Sequence, residues 1–364
     1  MIYTDVAIVG AGPAGLAASI TAAKSGINVT VIDESSQAGG QLPKQIHKFF
    51  GSKVNYAGIR GFRIGHQMYK EAVKNGAEIW LNSPVYGIWP NNVLAIMKDG
   101  KNTLLQAKKL IVTTGASEKP LQFPGWTLPG VIGTGAVQTM VNIHRVLPGN
   151  YFLIVGAGNV GMIVAYQLLQ AGAEVVCIAE AMPNIGGWQV HANKILRAGV
   201  PILTSHSIKE AYGSSEVEGA TLVQLNKKWQ PIPGTETTMD VDTICIAVGL
   251  TPLIEIPLLA GCKVVYIPEL GGYVPLHDEM MQTTNHDIYV AGDASGIEEA
   301  SVAMEEGRLA ATAIAGELDY LSKDQLEDLQ SKIKERLLEL RSYPLGGKIL
   351  AAKHQVIMER RNLP

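Results

Sequence analysis

Two stretches of the chain carry the same alternation of apolar run, glycine turn, small-residue helix and second apolar run. The first run, Thr4 to Val9, predicts a short buried strand. Gly10-Ala11-Gly12-Pro13-Ala14-Gly15 follows, then a helix from Leu16 to Ser25 closed by Gly26, then a strand from Asn28 to Ile32 ending in Asp33 and Glu34. The pattern returns as a strand over Tyr151 to Val155, the turn Gly156-Ala157-Gly158-Asn159-Val160-Gly161 and a helix from Met162 to Gln170 stopped at Ala171-Gly172. A strand from Glu174 to Ala179 then leads to Glu180. Further strands are predicted over Lys109 to Thr114, running into Gly115-Ala116, and over Asp242 to Val248, running into Gly249. A last one delivers Gly292-Asp293, and a helix starts near Glu299-Ala300-Ser301.

Each repeat is a GxGxxG fingerprint set between strand, helix, strand and acid, the context in which that motif binds a dinucleotide. Gly10 permits the tight turn, Gly12 lets the backbone approach a pyrophosphate, and Gly15 lets the helix pack on its strand. The helix N-terminus offers unpaired N–H groups and a positive dipole end to the phosphates. Asp33 stands 23 residues after Gly10, where a carboxylate reaches ribose hydroxyls. Glu180 stands 24 residues after Gly156, one residue out of step with the first acid. No Arg or Lys stands where a 2′-phosphate would need one, which favours NAD over NADP; an empty site, or one for another adenine nucleotide, is the alternative. Two fingerprints in one chain point to a flavin in one repeat and a nicotinamide in the other, with hydride passing between them.

Composition removes several other classes. At 364 residues, two or three domains are expected, and 47% hydrophobic residues provide a large core and exclude a disordered chain. Lys and Arg number 30 against 33 Asp and Glu, a net charge of -3 that points away from nucleic acid. Cys177, Cys245 and Cys262 form no CxxC, so neither a disulfide framework nor a cysteine-rich metal or iron–sulfur site is expected; the two in strand patterns read as small buried residues. The eight histidines are scattered without H-E-x-x-H spacing, so no metal is expected. No G-x-S-x-G elbow marks a hydrolase. With no targeting segment at the start and no run of about 18 apolar residues, a cytoplasmic protein without a membrane span is expected.

The order GAGPAG, TTGA, GAGNVG, AVG, AGD resembles the two-dinucleotide-binding-domain flavoproteins, the superfamily of thioredoxin and glutathione reductases. Within it the chain is more similar to the α (A) subunits of hydrogen cyanide synthase, opine oxidase, heterotetrameric sarcosine oxidase and dye-linked proline dehydrogenase. That likeness rests on Gln37 to Gln41, Phe123 to Val131, Gly135 to Gln138, Asp242-Thr243, Gly261-Cys262, Gly271 to Pro275 and Ala291 to Gly296. The resemblance implies an α/β fold with two Rossmann-like domains, the second inserted into the first. It implies FAD on Gly10, Gly12, Pro13, Ala14, Gly15, Asp33, Glu34, Gly40, Gln41, Gly115, Gly292 and Asp293, with the helix starting at Ala300 aimed at the flavin. It implies NAD(H), or another adenine nucleotide, on Gly156, Gly158, Asn159, Gly161 and Glu180, with Gly249 at the matching strand end. The missing CxxC sets the chain apart from thioredoxin reductase. Longer relatives add a cysteine-rich [2Fe-2S] domain, so a cluster, where one is needed, would come from a separate small protein.

The remaining features are local. Lys48 is a candidate for the flavin phosphate or the reduced ring, His47 for a proton relay, and Phe49 and Phe50 for packing. The expected division is 1–118 and 251–317 for the flavin domain, 119–250 for the inserted domain and 318–364 for a helical extension. Ser322 with Gln325 makes a capping box before a stripe of Leu326, Leu329, Ile333, Leu337 and Leu340, and an apolar run follows Pro344, starting at Leu345. These pack on the parent domain or on another subunit of an oligomer. The expected activity is that of an FAD-dependent oxidoreductase, the α subunit partnered by an amine-oxidising β subunit, with no catalytic base assigned. A free-standing NADH-dependent reductase of ferredoxin or quinone and a non-catalytic nucleotide-binding scaffold are the alternatives.

Overall fold

The computed structural model describes residues 1–342 and 346–363; Pro344 and Leu345, where the apolar run begins, lie outside the described residues. The chain divides into two compact units, residues 1–117 with 251–364, and residues 118–250.

The first unit opens with β1 (Ile2–Val9), α1 (Pro13–Lys24) and β2 (Val29–Ile32). Then come α2 (Gly61–Lys74), β3 (Glu78–Trp80), β4 (Val85–Trp89), β5 (Val93–Lys98) and the 12-residue β6 (Lys101–Val112). Residues of β1 alternate faces, as a strand requires: Val6 and Ile8 join the core beneath the helices, while Ala7 and Val9 join the core on the other side. β6 is used twice. Its first half pairs antiparallel with β5, and its second half pairs parallel with β1.

The chain crosses at β7 (Ala116–Glu118), and the second unit continues with β8 (Val131–Gly133) and α3 (Thr134–Gln138), which runs on into a π-turn over Thr139–His144. Next are β9 (Tyr151–Val155), α4 (Asn159–Gln170), β10 (Glu174–Glu180), α5 (Gln189–Arg197) and β11 (Ile202–Thr204). An antiparallel meander, β12 (His206–Tyr212), β13 (Gly219–Gln224) and β14 (Thr237–Met239), precedes β15 (Thr243–Ile246). The main sheet has the order β11-β10-β9-β15-β8.

The chain returns through β16 (Leu250–Pro252), which pairs with β7, to α6 (Glu255–Leu259), β17 (Val264–Ile267), β18 (Gly272–Pro275) and β19 (Ile288–Val290). β19 pairs parallel with β6, so the first unit's parallel strands run β3-β2-β1-β6-β19. The second unit's sheet has the same layout, but its edge strand β8 precedes the fingerprint strand in the chain whereas β19 follows it, so the duplication seen in the fingerprints extends to four strands of the sheet and to a meander in each unit.

Three helices complete the first unit: α7 (Ala300–Glu317), α8 (Lys323–Leu340) and α9 (Gly346–Arg361). The capping box forms, with Ser322 accepting from Gln325 N–H and the Gln325 side chain accepting from Ser322 N–H. Ile333, Leu337 and Leu340 bury against the first unit's core, each worth about 1.5–3 kcal/mol relative to exposure. Leu329 of the expected stripe is exposed, and Leu326 lies against Gly316 of α7 instead. α9 buries Ala352 and Val356 against Ile267, Leu270, Val274 and Leu276. The extension thus packs on its own unit rather than projecting as a free face. Among the described residues, no helix is long and apolar enough to cross a membrane.

Candidate functional site

The sequence-predicted residues collect at the C-terminal ends of neighbouring parallel strands. In the first unit, Asp33, Gly10, Gly115 and Gly292 follow β2, β1, β6 and β19, adjacent in that order. In the second, Glu180, Gly156 and Gly249 follow β10, β9 and β15. Connections that leave neighbouring strands in opposite directions open a crevice at that point, the usual ligand position in such sheets.

The three glycines of each fingerprint do different work. A Cβ at Gly10 would lie 2.3 Å from the Thr113 carbonyl oxygen, and one at Gly156 would lie 2.3 Å from the Ala247 carbonyl oxygen; both residues have positive φ, +108° and +113°. A Cβ at Gly15 would meet the Gly10 carbonyl oxygen at 1.8 Å, and one at Gly161 the Gly156 carbonyl oxygen at 2.2 Å. These four serve packing. A Cβ at Gly12 meets nothing nearer than Gly40 Cα at 3.9 Å, and one at Gly158 meets nothing within 4 Å. The protein's own packing does not require glycine there; a group held against the backbone would. Both are extended N-caps with no side-chain cap, and Pro13 takes the first turn of α1, so the early amides of α1 and α4 remain available to an anion.

The acids are held alike. Ala11 N–H donates to Asp33 Oδ2 (2.5 Å) and Ser35 N–H to Oδ1 (2.8 Å). Ala157 N–H donates to Glu180 Oε2 (2.8 Å) and Met182 N–H to Oε1 (2.8 Å). The extra residue before Glu180 is taken up by a bulge in β10, where Val175 pairs with Phe152 but Cys177 with Leu153. Glu180 therefore occupies the place of Asp33 despite the longer spacing. Glu34 is exposed beside it.

A further repeat escaped the sequence reading. Gly39 and Gly40 lie six and seven residues after Asp33, and Gly186 and Gly187 lie six and seven after Glu180. Gly39 N–H donates to the Ala11 carbonyl and Gly187 N–H to the Ala157 carbonyl, so each loop folds back over its fingerprint. Asn159 holds the second loop, its Oδ1 accepting from Trp188 N–H (2.7 Å). Equal spacing was the available signal. The sequence marks Thr113 only as part of a strand end, but its hydroxyl donates to the Val9 and Gly10 carbonyls (3.0 and 2.8 Å) and locks the turn to β6. In the second unit, Glu118 accepts from Thr134 Oγ1 and Gly135 N–H, both at 2.7 Å, at the start of α3.

Gly292 and Asp293 lie in a 3-10 turn over Gly292–Ser295 that precedes α7, whose first residue is Ala300. A Cβ at Gly292 would lie 2.9 Å from Ala14 Cβ, which brings this turn to the start of α1. Burial pushes the Asp293 carboxyl up to about 6 and nearby Glu306 adds to the rise; Glu298 N–H at 3.5 Å and Lys353 offset part of it.

The segment after Gly40 carries the loop candidates. Gln41 is exposed at the head of a 3-10 turn over Leu42–Lys44, and Lys48 is exposed in a bridge to Arg60 rather than among the fingerprint residues. His47 stacks on Phe49, ring centroids 5.9 Å apart. Phe49 is buried, but Phe50, expected to pack, is 69% exposed. The three cysteines are buried and free; desolvation pushes the Cys177 thiol up to about 12 and raises Cys245 and Cys262 as well. Among the described residues, no group of three His, Cys, Asp or Glu side chains is placed to hold a metal ion.

The sequence matches the pyridine nucleotide-disulphide oxidoreductase family over residues 4–307. The chain belongs to this family. It is an α/β oxidoreductase that uses FAD and NAD(P), and the two open cradles fit two such dinucleotides. The disulphide part of the family's name has no counterpart among its buried thiols. The chain is 26% identical to the A-type subunit of opine oxidase from Agrobacterium tumefaciens (strain Ach5), covering 96% of this chain and 72% of that protein. It is 27% identical to the hydrogen cyanide synthase subunit HcnB of Pseudomonas protegens, covering 87% and 71%. The fold is similar to that of thioredoxin reductase from T. acidophilum, with a TM-score of 0.71, 22% identity and coverage of 88% and 100%.

Proposed function

We propose that this chain is the nucleotide-binding subunit of a complex that oxidises an amino acid or another secondary amine, with FAD in the first unit and NAD(H) in the second. The observation that carries the reading is the doubled cradle: an open glycine at each helix start, with an acid pinned by the neighbouring amide in both units. The similarity to proteins named as oxidase and synthase subunits supports the amine-oxidising complex and a β partner. Bound FAD supplies two-electron redox chemistry at its ring, and a bound nicotinamide supplies or takes up hydride.

The chain's own residues hold and orient. The Gly10 to Gly15 turn and the amides of α1 receive the FAD pyrophosphate, and Asp33 accepts from ribose hydroxyls with its free lone pairs. Asp293 and the start of α7 face the ribityl and ring end, where the helix dipole favours negative charge. Gly156 to Gly161 and α4 do the same for the second nucleotide. Glu180, followed by Ala181, Met182 and Pro183, offers carboxylate to a ribose diol and no cation to a 2′-phosphate, so NADH is selected over NADPH.

Two measurements test this. The purified chain, recorded anaerobically, should show a flavin spectrum that bleaches on adding NADH; a flavin that no pyridine nucleotide reduces favours the scaffold alternative. NADH should bind at least tenfold tighter than NADPH. Glu180→Ala should weaken NADH about tenfold, near 1.4 kcal/mol, and narrow that preference, read by titration calorimetry. Equal affinity of the parent chain for both nucleotides would remove Glu180 from this role.

A further inference from the structure

The C-terminal extension carries a buried ionic cluster whose hydrogen bonds end on the turn that presents Asp293. Glu306 of α7 is 1% exposed, and Lys353 of α9 is 2% exposed. Lys353 Nζ donates to Glu306 Oε1 (2.8 Å), to Ser295 Oγ (2.8 Å) and to the Ser295 carbonyl (3.0 Å). Arg341, just past α8, donates to the same Glu306 oxygen (2.6 Å) and grips Glu298 through two nitrogens (2.9 and 2.6 Å). The other oxygen, Glu306 Oε2, accepts from Gly292 N–H (2.9 Å) and from Ser295 Oγ (2.8 Å). The Gly292 end of the turn is thus tied to Glu306, the Ser295 end to Glu306 and Lys353, and Glu306 itself is held by the two cations from beyond residue 340.

A buried charge cluster is a poor way to dock a helix, because well-packed apolar residues hold it at least as firmly without dehydrating ions. What it adds is direction. Each bond fixes one backbone or hydroxyl group of the turn at one place. Gly307, next to Glu306, is a point of close approach of α7 to α1, since a Cβ there would lie 2.1 Å from the Ala14 carbonyl oxygen. The Glu306 carboxylate therefore stands where the start of α1, the Gly292–Ser295 turn and the extension meet. Burial alone would raise its pKa; the adjacent Lys353 and Arg341 outweigh that and hold it low.

We infer that Lys353 and Arg341 are positioning residues for the flavin site, acting through Glu306 to set the Gly292–Asp293 turn. This rests on the assignment of FAD to the first unit. Removing the Lys353 ammonium leaves Glu306 with one cation and takes one donor from the Ser295 carbonyl and hydroxyl, leaving Ser295 held by Glu306 and Gly292 alone, so the turn gains alternative conformations and Asp293 loses its fixed place.

The test uses the full chain as Lys353→Met and Lys353→Arg beside the parent. In the cofactor-free proteins, hydrogen exchange of the peptide spanning 291–297 should quicken at least tenfold in Lys353→Met, with exchange in β9 and α4 unchanged. FAD should bind Lys353→Met at least tenfold more weakly, with a displaced visible band, while NADH affinity stays within twofold. Lys353→Arg, whose guanidinium still reaches Glu306, should recover most of the protection and affinity. A parent chain that takes up no FAD overturns the cofactor assignment, and the positioning role with it, even where exchange quickens. A parent that binds FAD, beside a Lys353→Met chain with unchanged exchange and FAD affinity, overturns the positioning role alone. If Lys353→Met does not fold, Lys353→Gln takes its place in the same comparison.

Discussion

Gly12→Ala should leave the cofactor-free chain as stable as the parent, within about 1 kcal/mol, and should abolish tight FAD binding. The site of the new methyl group is open, with Gly40 Cα at 3.9 Å as its nearest neighbour, and φ at Gly12 is -74°, a value any residue adopts. Nothing in the apoprotein resists it beyond the weaker N-cap propensity of alanine. On the proposed placement of FAD, the same methyl group occupies the space in which its pyrophosphate would meet the amides of α1. Losing two charge-assisted hydrogen bonds there costs about 3 kcal/mol, a loss of roughly 100-fold or more in affinity. Gly158→Ala should weaken NADH comparably and leave FAD in place. Gly15→Ala should differ from both, because its Cβ would lie 1.8 Å from a carbonyl oxygen and α1 would have to move. Thermal unfolding of the apoproteins with FAD and NADH titrations separates the cases. A Gly12→Ala chain that keeps parent-like FAD affinity would show that no phosphate lies against this turn.

For Asp293→Asn, the apoprotein should gain stability while FAD affinity falls. Burial holds the folded-state carboxyl at about 6 against an ordinary 3.8. The folded chain therefore binds more protons than the unfolded chain between those values, and stability falls as pH rises from about 4 to 6, then levels. Asparagine has no such ionisation. At pH 8 the variant should be the more stable by about 2–3 kcal/mol, and at about pH 3.5 the two should nearly coincide. The gain in stability and the loss of FAD, at least tenfold for a charge-assisted bond, have one cause: a carboxylate desolvated in the empty protein so that it can meet hydroxyl groups. Denaturant midpoints at the two pH values decide it. A parent chain that is more stable at pH 8 than at pH 5 by virtue of this residue would reverse the sign and exclude a raised pKa.

The doubled fingerprint was readable because its parts are local. Strand, glycine turn, helix and acid fall within about 25 residues, and each glycine answers a backbone requirement that no other residue meets cheaply. The loop candidates were less legible. Phe50, expected to pack, faces solvent, since nothing in an irregular segment states which way a side chain turns. The spacing of Glu180 misled for the opposite reason. A bulge in β10 absorbs one residue and restores its position, and bulges leave no periodic trace.

From the order of residues alone came the α/β class, the two nucleotide cradles, the acids that close them and the absence of a redox CxxC. Tertiary structure decided what those segments are joined to. It showed that β19 closes the same sheet as β1, that the extension lies on its own unit, and that Glu306 links Lys353 and Arg341 to the turn before α7. Local backbone geometry is written in neighbouring residues, but the partner of a buried charge lies 35 to 47 positions away, and only packing determines which charges meet.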